Sequence, residues 1–182
     1  MYELFILSEL MEKPRNGYNL RHILQKIIGI ERKISFGMIY PQLERLEHNG
    51  YITTSVDDTD SKRTSKLNTI TPLGQERFAT LMAQPVVVNQ NAQTTYGIKI
   101  GSFHLIAPAL QRAIMQDYIT FLTTKVQANH DSIATIRADK PAMSDLDKAD
   151  TIETIELRLV QNQAALTWAQ TKLTKIEAQS NE

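Results

Sequence analysis

Apolar residues recur along this chain at two spacings, and the switches between them mark out its elements. Leu4, Leu7, Leu10 and Met11 fall at helical intervals over residues 2–12. Pro14, Asn16 and Gly17 interrupt that pattern. A second helix is predicted from Gly17 to Ile28, with Leu20, Ile23, Leu24 and Ile27 on one stripe and Gly29 as its stop. Ser35 is placed to cap a third helix from Phe36 to His48, with Ile39, Leu43 and Leu46 inward and Asn49-Gly50 at its end. The period then shortens. Tyr51 to Val56 is β-branched and aromatic, and Asp57-Asp58-Thr59-Asp60-Ser61 is a turn-forming stretch. Lys66 to Ile70 alternates again, with Leu67 and Thr69 on one side. This spacing predicts a β-hairpin with a polar tip. Thr71-Pro72 joins a cap to a proline at a first helical position, so a fourth helix starts there. Three helices, a hairpin and a helix in this order form the winged helix-turn-helix plan.

Residues 85–95 read as a linker: Val86-Val87-Val88, then Asn, Gln and Thr. The expected division is therefore 1–84 and 85–182. Tyr96, Ile100, Phe103 and Ala107 fit a helical stripe, and Pro108 opens a fresh helix. The strongest periodicity follows. Met115, Ile119, Leu122, Val126, Asn129, Ile133 and Ile136 step by four and three. After Asp139-Lys140-Pro141, Ile152, Ile155, Leu159, Asn162, Leu166, Ala169, Leu173 and Ile176 continue in kind. Each segment carries one Asn in its apolar seam, where such a residue sets register. An antiparallel helical hairpin is the simplest reading. The fold class is mainly α with a small β-hairpin: an N-terminal winged helix-turn-helix domain and a C-terminal helical dimerisation domain.

Composition removes several functional classes. The chain has no cysteine, so disulfides, thiolate catalysis and Cys-based zinc sites are excluded. His22, His48, His104 and His130 stand singly, without metal-ligand spacing, and Asp57-Asp58-Thr59-Asp60 lacks the glycine and distal glutamate of a calcium loop. No phosphate-binding glycine loop or hydrolase motif is present, so neither an enzyme nor a cofactor or metal is expected. No signal peptide or apolar run of membrane length is seen, and a cytoplasmic protein without membrane contact is the expectation. The 20 basic and 20 acidic residues cancel. Residues 1–84 hold 11 Lys/Arg and 10 Asp/Glu, so DNA binding requires charge sorted by face.

At Gly17-Tyr18, at the run Ser35-Phe36-Gly37-Met38-Ile39-Tyr40-Pro41-Gln42-Leu43, at Leu46-Glu47, at Gly50-Tyr51-Ile52 and at Thr71-Pro72-Leu73-Gly74 the chain resembles the PadR family of bacterial regulators. The resemblance covers about residues 1–80. The C-terminal helices, with Trp168 in the last, resemble the larger PadR subclass. One difference lies in the second wing strand, where Leu67-Asn68-Thr69-Ile70 stands in place of the family's usual aromatic. The resemblance implies a homodimeric repressor of double-stranded operator DNA, released by a small-molecule effector. Founding members of the family respond to phenolic acids.

The residues give this reading a physical basis. With Ile39, Leu43 and Leu46 inward, Met38, Gln42 and Arg45 lie on the opposite side of the third helix, flanked by Tyr40 and Pro41. Gln pairs bidentately with adenine, and Arg with guanine. Ser35 can meet a phosphate at the helix N-terminus. Lys33, Lys62 and Arg63 are further DNA candidates, the last two on the wing tip. For a small aromatic effector the candidates are Tyr96, Phe103, His104 and Trp168, with Lys99 or Arg112 as alternative partners for a carboxylate. The expected dimer interface is Ile152, Ile155, Leu159, Leu166 and Leu173. The competing reading is a non-catalytic interaction module whose winged helix binds protein and whose coiled helices dimerise.

Overall fold

The computed structural model describes residues 1–29, 33–57, 65–138 and 143–179. Its elements are α1 (Tyr2–Glu12), β1 (Arg15–Asn16), α2 (Gly17–Ile28), α3 (Phe36–His48), β2 (Ile52–Asp57), β3 (Ser65–Ile70), α4 (Pro72–Ala83), α5 (Ala92–Gly101), a single 3-10 turn (Phe103–Leu105), α6 (Pro108–Arg137) and α7 (Asp145–Gln179). The chain divides into two compact units, residues 1–107 and 108–182.

The first unit packs helices α1 to α5 with a small antiparallel sheet of order β1-β3-β2. Leu4, Phe5, Ile6, Leu7 and Leu10 of α1 are buried with Leu20 and Leu24 of α2 and Ile39, Leu43 and Leu46 of α3. Ile27 departs from its expected inward place and is exposed at the end of α2, where the stripe outruns the core. The hairpin pairs Ile52 with Ile70 and Thr54 with Asn68. Asn68, not Leu67 or Thr69, takes the buried position, at 3 % exposure. Its amide donates to the carbonyl of Arg15 at 2.9 Å. A third strand, β1, pairs there with β3, and a two-residue strand has no alternation by which sequence could reveal it.

Caps and close contacts fix the helix ends. The Thr71 hydroxyl accepts from Gly74 N at 3.1 Å and donates to the Gly50 carbonyl at 2.7 Å, joining α4 to the turn after α3. Gly50 adopts φ 73°, a left-handed conformation suited to glycine. Glu3 on α1 receives both arms of Arg77 on α4, at 2.8 and 3.3 Å. That bond to Glu3 raises the Arg77 pKa above its ordinary value. Burial pushes the Glu9 carboxyl up, and Arg15 at 2.8 Å pulls it back.

The expected boundary after residue 84 falls inside this unit. Lys99 of α5 is buried and its Nζ donates to the carbonyls of Met82 and Gln84, at 2.9 and 2.5 Å. It thereby caps the C-terminus of α4, whose last carbonyls lack helical partners. A linker-like composition over residues 85–91 conceals that tie.

The second unit is a hairpin of α6 and α7, with 30 and 35 residues. Arg137 meets Glu156 near the turn at 3.5 Å, and Lys125 and Asn129 share a cavity with Arg158 and Asn162 farther along. Numbers fall on one helix as they rise on the other, so the helices run antiparallel. Ile133, Ile136, Ile155 and Leu159 form a buried cluster, with Val126, Met143 and Ile152 packed against it.

Gly74 supplies the sharpest test of this packing. A Cβ there would lie 2.0 Å from the Tyr51 carbonyl oxygen, an atom that cannot rotate away. Gly74→Ala is expected to lower stability by about 1–3 kcal/mol, a typical cost of overpacking. Chemical denaturation followed by circular dichroism measures it; a midpoint equal to wild type contradicts the packing described.

Candidate nucleic-acid interface

Helix α3 buries Ile39, Leu43 and Leu46 and turns its other side outward. Ser35, Phe36, Gly37, Tyr40, Pro41 and Arg45 are exposed, and Gln42 is half-buried. Arg45 Nη2 donates to Gln42 Oε1 at 2.5 Å, so these two side chains act as a pair one helical turn apart. Ser35 occupies the N-cap position, but its side chain makes no capping hydrogen bond. The first turn of α3 carries no acidic residue, which leaves the positive end of the helix unopposed. Lys33 is exposed just before it.

Two expected α3 residues do structural work. Met38 is half-buried, with its sulfur 3.9 Å from the Tyr2 hydroxyl on α1. Tyr40 lies against Gly17: a Cβ on that glycine would come within 2.9 Å of the ring. Lys62 and Arg63 lie outside the described residues.

Spacing did not reveal what holds α3 in place. Gln25 of α2 donates through Nε2 to the Gly29 carbonyl at 2.6 Å and accepts from Ile34 N at 2.8 Å, so one amide clamps both ends of the α2–α3 connection. Arg21 Nε donates to the Ile34 carbonyl at 2.8 Å, and its guanidinium lies 4.8 Å from the Phe36 ring centroid. Across α2 and α3, His22, Tyr18, Phe36 and Tyr40 form a stacked run with successive centroids 5.6, 6.4 and 5.9 Å apart. Tyr18, Phe36 and Tyr40 remain 50 %, 44 % and 44 % exposed. A helical wheel shows their faces, but not that two helices bring them into register.

The proposed effector residues divide between the units. Tyr96 and Phe103 are buried in the first, and His104 is exposed there and paired with Glu12. Trp168 is half-exposed on α7. Neither cavity described is lined by any of these four. One, of about 220 Å³, lies in the first unit among Met1, Leu4, Leu81, Pro85, Val86 and Lys99; the other lies in the α6–α7 hairpin. Lys99 has committed its ammonium to the α4 carbonyls, which disfavours it as a carboxylate ligand. Among the expected interface residues, Ile152, Ile155 and Leu159 already pack against α6 within the chain. Leu166 and Leu173 are half-buried. The apolar surface left on α7 is Leu146, Leu157, Val160 and Trp168. Among the described residues no helix is long and apolar enough to cross a membrane, and no group of three His, Asp or Glu residues could hold a metal ion.

The three helices, the hairpin and the outward face of α3 define a winged helix-turn-helix domain. Residues 6–80 match the transcriptional regulator PadR-like family, and the chain carries a domain of that family. Among solved structures it is similar to Bacillus subtilis PadR in complex with operator DNA, at 17 % identity over 95 % of this chain and 96 % of that one, with TM-score 0.45. A PadR-like transcriptional regulator from Bacillus cereus is 20 % identical over 98 % of this chain and 99 % of that one, with TM-score 0.40. The same Bacillus subtilis protein in complex with p-coumaric acid is 17 % identical over 96 % of this chain and 94 % of that one, with TM-score 0.40. No match was found among curated proteins.

Removing the clamp tests its role. Gln25→Ala leaves two backbone groups unpartnered and is expected to cost about 1–3 kcal/mol of stability. Thermal unfolding measures it, and an unchanged midpoint removes Gln25 from the account of the turn.

Proposed function

We propose that the chain is a homodimeric transcriptional repressor that reads operator DNA with α3 and leaves it when a small aromatic molecule binds. The observation that carries the reading is the outward Gln42–Arg45 pair on a helix anchored by a buried stripe, inside a PadR-like domain. Gln and Arg recognise base edges, and Ser35 with the amides of the first turn can receive a phosphate. Residues through α4, including Lys33 beside the helix and the sequence candidates Lys62 and Arg63, serve DNA binding in the cytoplasm. The part beyond residue 84 serves dimerisation and sensing, although α5 packs on the first unit.

Two copies would set two α3 helices about one DNA turn apart on a pseudo-palindromic site. The surface favoured for pairing is the exposed stripe of α7, Leu157, Val160 and Trp168, because the Ile155–Leu159 seam is already closed within the chain. An effector that prefers a dimer with mis-spaced α3 helices would lower DNA affinity by population shift. A phenolic acid is the effector class proposed, with Tyr96, Phe103, His104 and Trp168 as the aromatic and donor set.

A gel shift with DNA from upstream of the protein's own gene tests the main claim. Gln42→Ala and Arg45→Ala are each expected to weaken operator binding by about 1–3 kcal/mol and to relax base preference. Operator binding equal to wild type in both removes α3 from the interface. Complete absence of DNA binding by the wild-type chain would instead favour a protein partner for the exposed Tyr18–Phe36–Tyr40 stack.

Assembly is checked by sedimentation. Val160→Glu, on the outer stripe, is expected to give a folded monomer, whereas Leu159→Asp, inside the hairpin, is expected to unfold it. A Val160→Glu dimer as tight as wild type moves the interface elsewhere.

A further inference from the structure

The seam of the α6–α7 hairpin is apolar near the turn and becomes polar one layer on. Asn129 interrupts the stripe between Val126 and Ile133, and Asn162 interrupts it between Leu159 and Leu166. The two do not hydrogen-bond to each other. With Lys125, Ala128, Arg158 and Gln161 they line a cavity of about 380 Å³. That volume suits a small molecule and exceeds what a single water needs.

The lining is rich in donors, with Arg158 and Gln161 exposed at the rim and Lys125 and Asn129 half-buried. Asn129 Nδ2 is buried and has no hydrogen-bond partner. Arg158 pairs with no carboxylate among the described residues, and Lys125 makes only a cation–π contact, with its Nζ 5.4 Å from the Phe121 ring centroid. The reason lies in the sequence. Positions three and four away from Lys125 are Leu122, Phe121, Ala128 and Asn129, and those around Arg158 are Ile155, Thr154, Gln161 and Asn162. None is acidic, although i±3 and i±4 carboxylates are the usual helical partners of such residues. A buried amide donor left unmade is costly, and two unpaired cations beside it concentrate positive potential in one concave place.

We propose that this cavity is a binding site for a small oxyanion, a carboxylate or phosphate, held between α6 and α7. Arg158 offers a fork that matches two oxygens, Lys125 adds a compact charge, and Asn129 donates from the buried wall. Asn162 and Gln161 supply amides at the rim, and the methylene stems of Lys125 and Arg158, with Ala128, accept an apolar body on a carboxylate ligand. The ligand would bridge both helices and so fix their register at the one layer where apolar packing does not. The site is separate from the aromatic set named for the effector, and its occupancy is measured on free protein, so the result does not depend on DNA binding.

The test is calorimetry and thermal unfolding of the full chain in a low-chloride buffer, with sodium benzoate and inorganic phosphate as probes. Saturable binding and an anion-dependent rise in Tm are expected from at least one probe, and the preferred probe assigns the ligand as carboxylate or phosphate. Arg158→Gln and Lys125→Gln are each expected to raise Kd at least tenfold, and Asn129→Leu to abolish the anion-dependent rise. His130→Gln, on an exposed position of α6, is expected to bind like wild type. Four outcomes would overturn the proposal. The first is no saturable heat with either probe. The second is wild-type affinity in the Gln variants. The third is an Asn129→Leu chain that keeps the wild-type anion-dependent rise in Tm, which would make the orphan amide a packing flaw. The fourth is an Arg158→Gln chain whose dimer dissociates while anions have no effect on wild type, which would assign the donors to a second copy.

Discussion

Helix α3 must do two incompatible things, and the first unit is arranged around that constraint. One side has to be held by the core firmly enough that the other can be aimed. Ile39, Leu43 and Leu46 supply the anchor. An anchor along one stripe still allows the helix to rock about its axis. Tyr40 against Gly17, and Gln25 bridging Gly29 and Ile34, remove that freedom from outside the core. Gly17 matters here because it lacks a side chain: a Cβ would lie 2.9 Å from the Tyr40 ring, which would have to give way. The aromatic run from His22 to Tyr40 extends the same coupling along the solvent side, so α2 and α3 present one surface rather than two.

Zero net charge is compatible with a DNA-facing surface once charge is followed by position. Three α1 carboxylates are engaged inside the unit: Glu3 with Arg77, Glu9 with Arg15, and Glu12 with His104. The acidic residues of α3, Glu44 and Glu47, fall after its first turn. The N-terminal end therefore keeps its helix dipole, its amides and the neighbouring Lys33. On the proposed reading, the helix N-terminus and Lys33 are where a phosphate would be met.

The elements of this chain were legible because their boundaries are chemical. Gly17 and Ile28 bound α2, Phe36 and His48 bound α3, and Pro72 opens α4, each where capping, glycine or proline chemistry put it. The inward residues of α3 followed from period alone. What remained hidden depends on contacts between segments. Asn68 replaced its apolar neighbours inside because its amide has a carbonyl to meet on β1, a strand too short to carry a pattern. Lys99 reads as a surface cation, yet it is buried because α4 ends beside it with unsatisfied carbonyls. The outward side of α3, with Gln42 and Arg45, was legible from period, whereas the contacts of Gln25, Arg21 and Phe36 that hold the helix were not. Supports act through tertiary geometry, which period does not encode.

The hairpin shows why a heptad pattern alone underdetermines assembly. A stripe of Ile and Leu states that something must cover it, without saying whether the cover is the same chain or another. Here α6 covers α7 at Ile155 and Leu159, so the apolar surface left for association is the weaker stripe of Leu157, Val160 and Trp168. The two Asn residues give the hairpin a different property. An all-apolar seam tolerates sliding by a heptad, because each layer resembles the next. A polar layer differs from its neighbours, so sliding by a heptad would set Asn129 and Asn162 against apolar side chains. Interior polarity of this kind costs stability and yields a defined helix register.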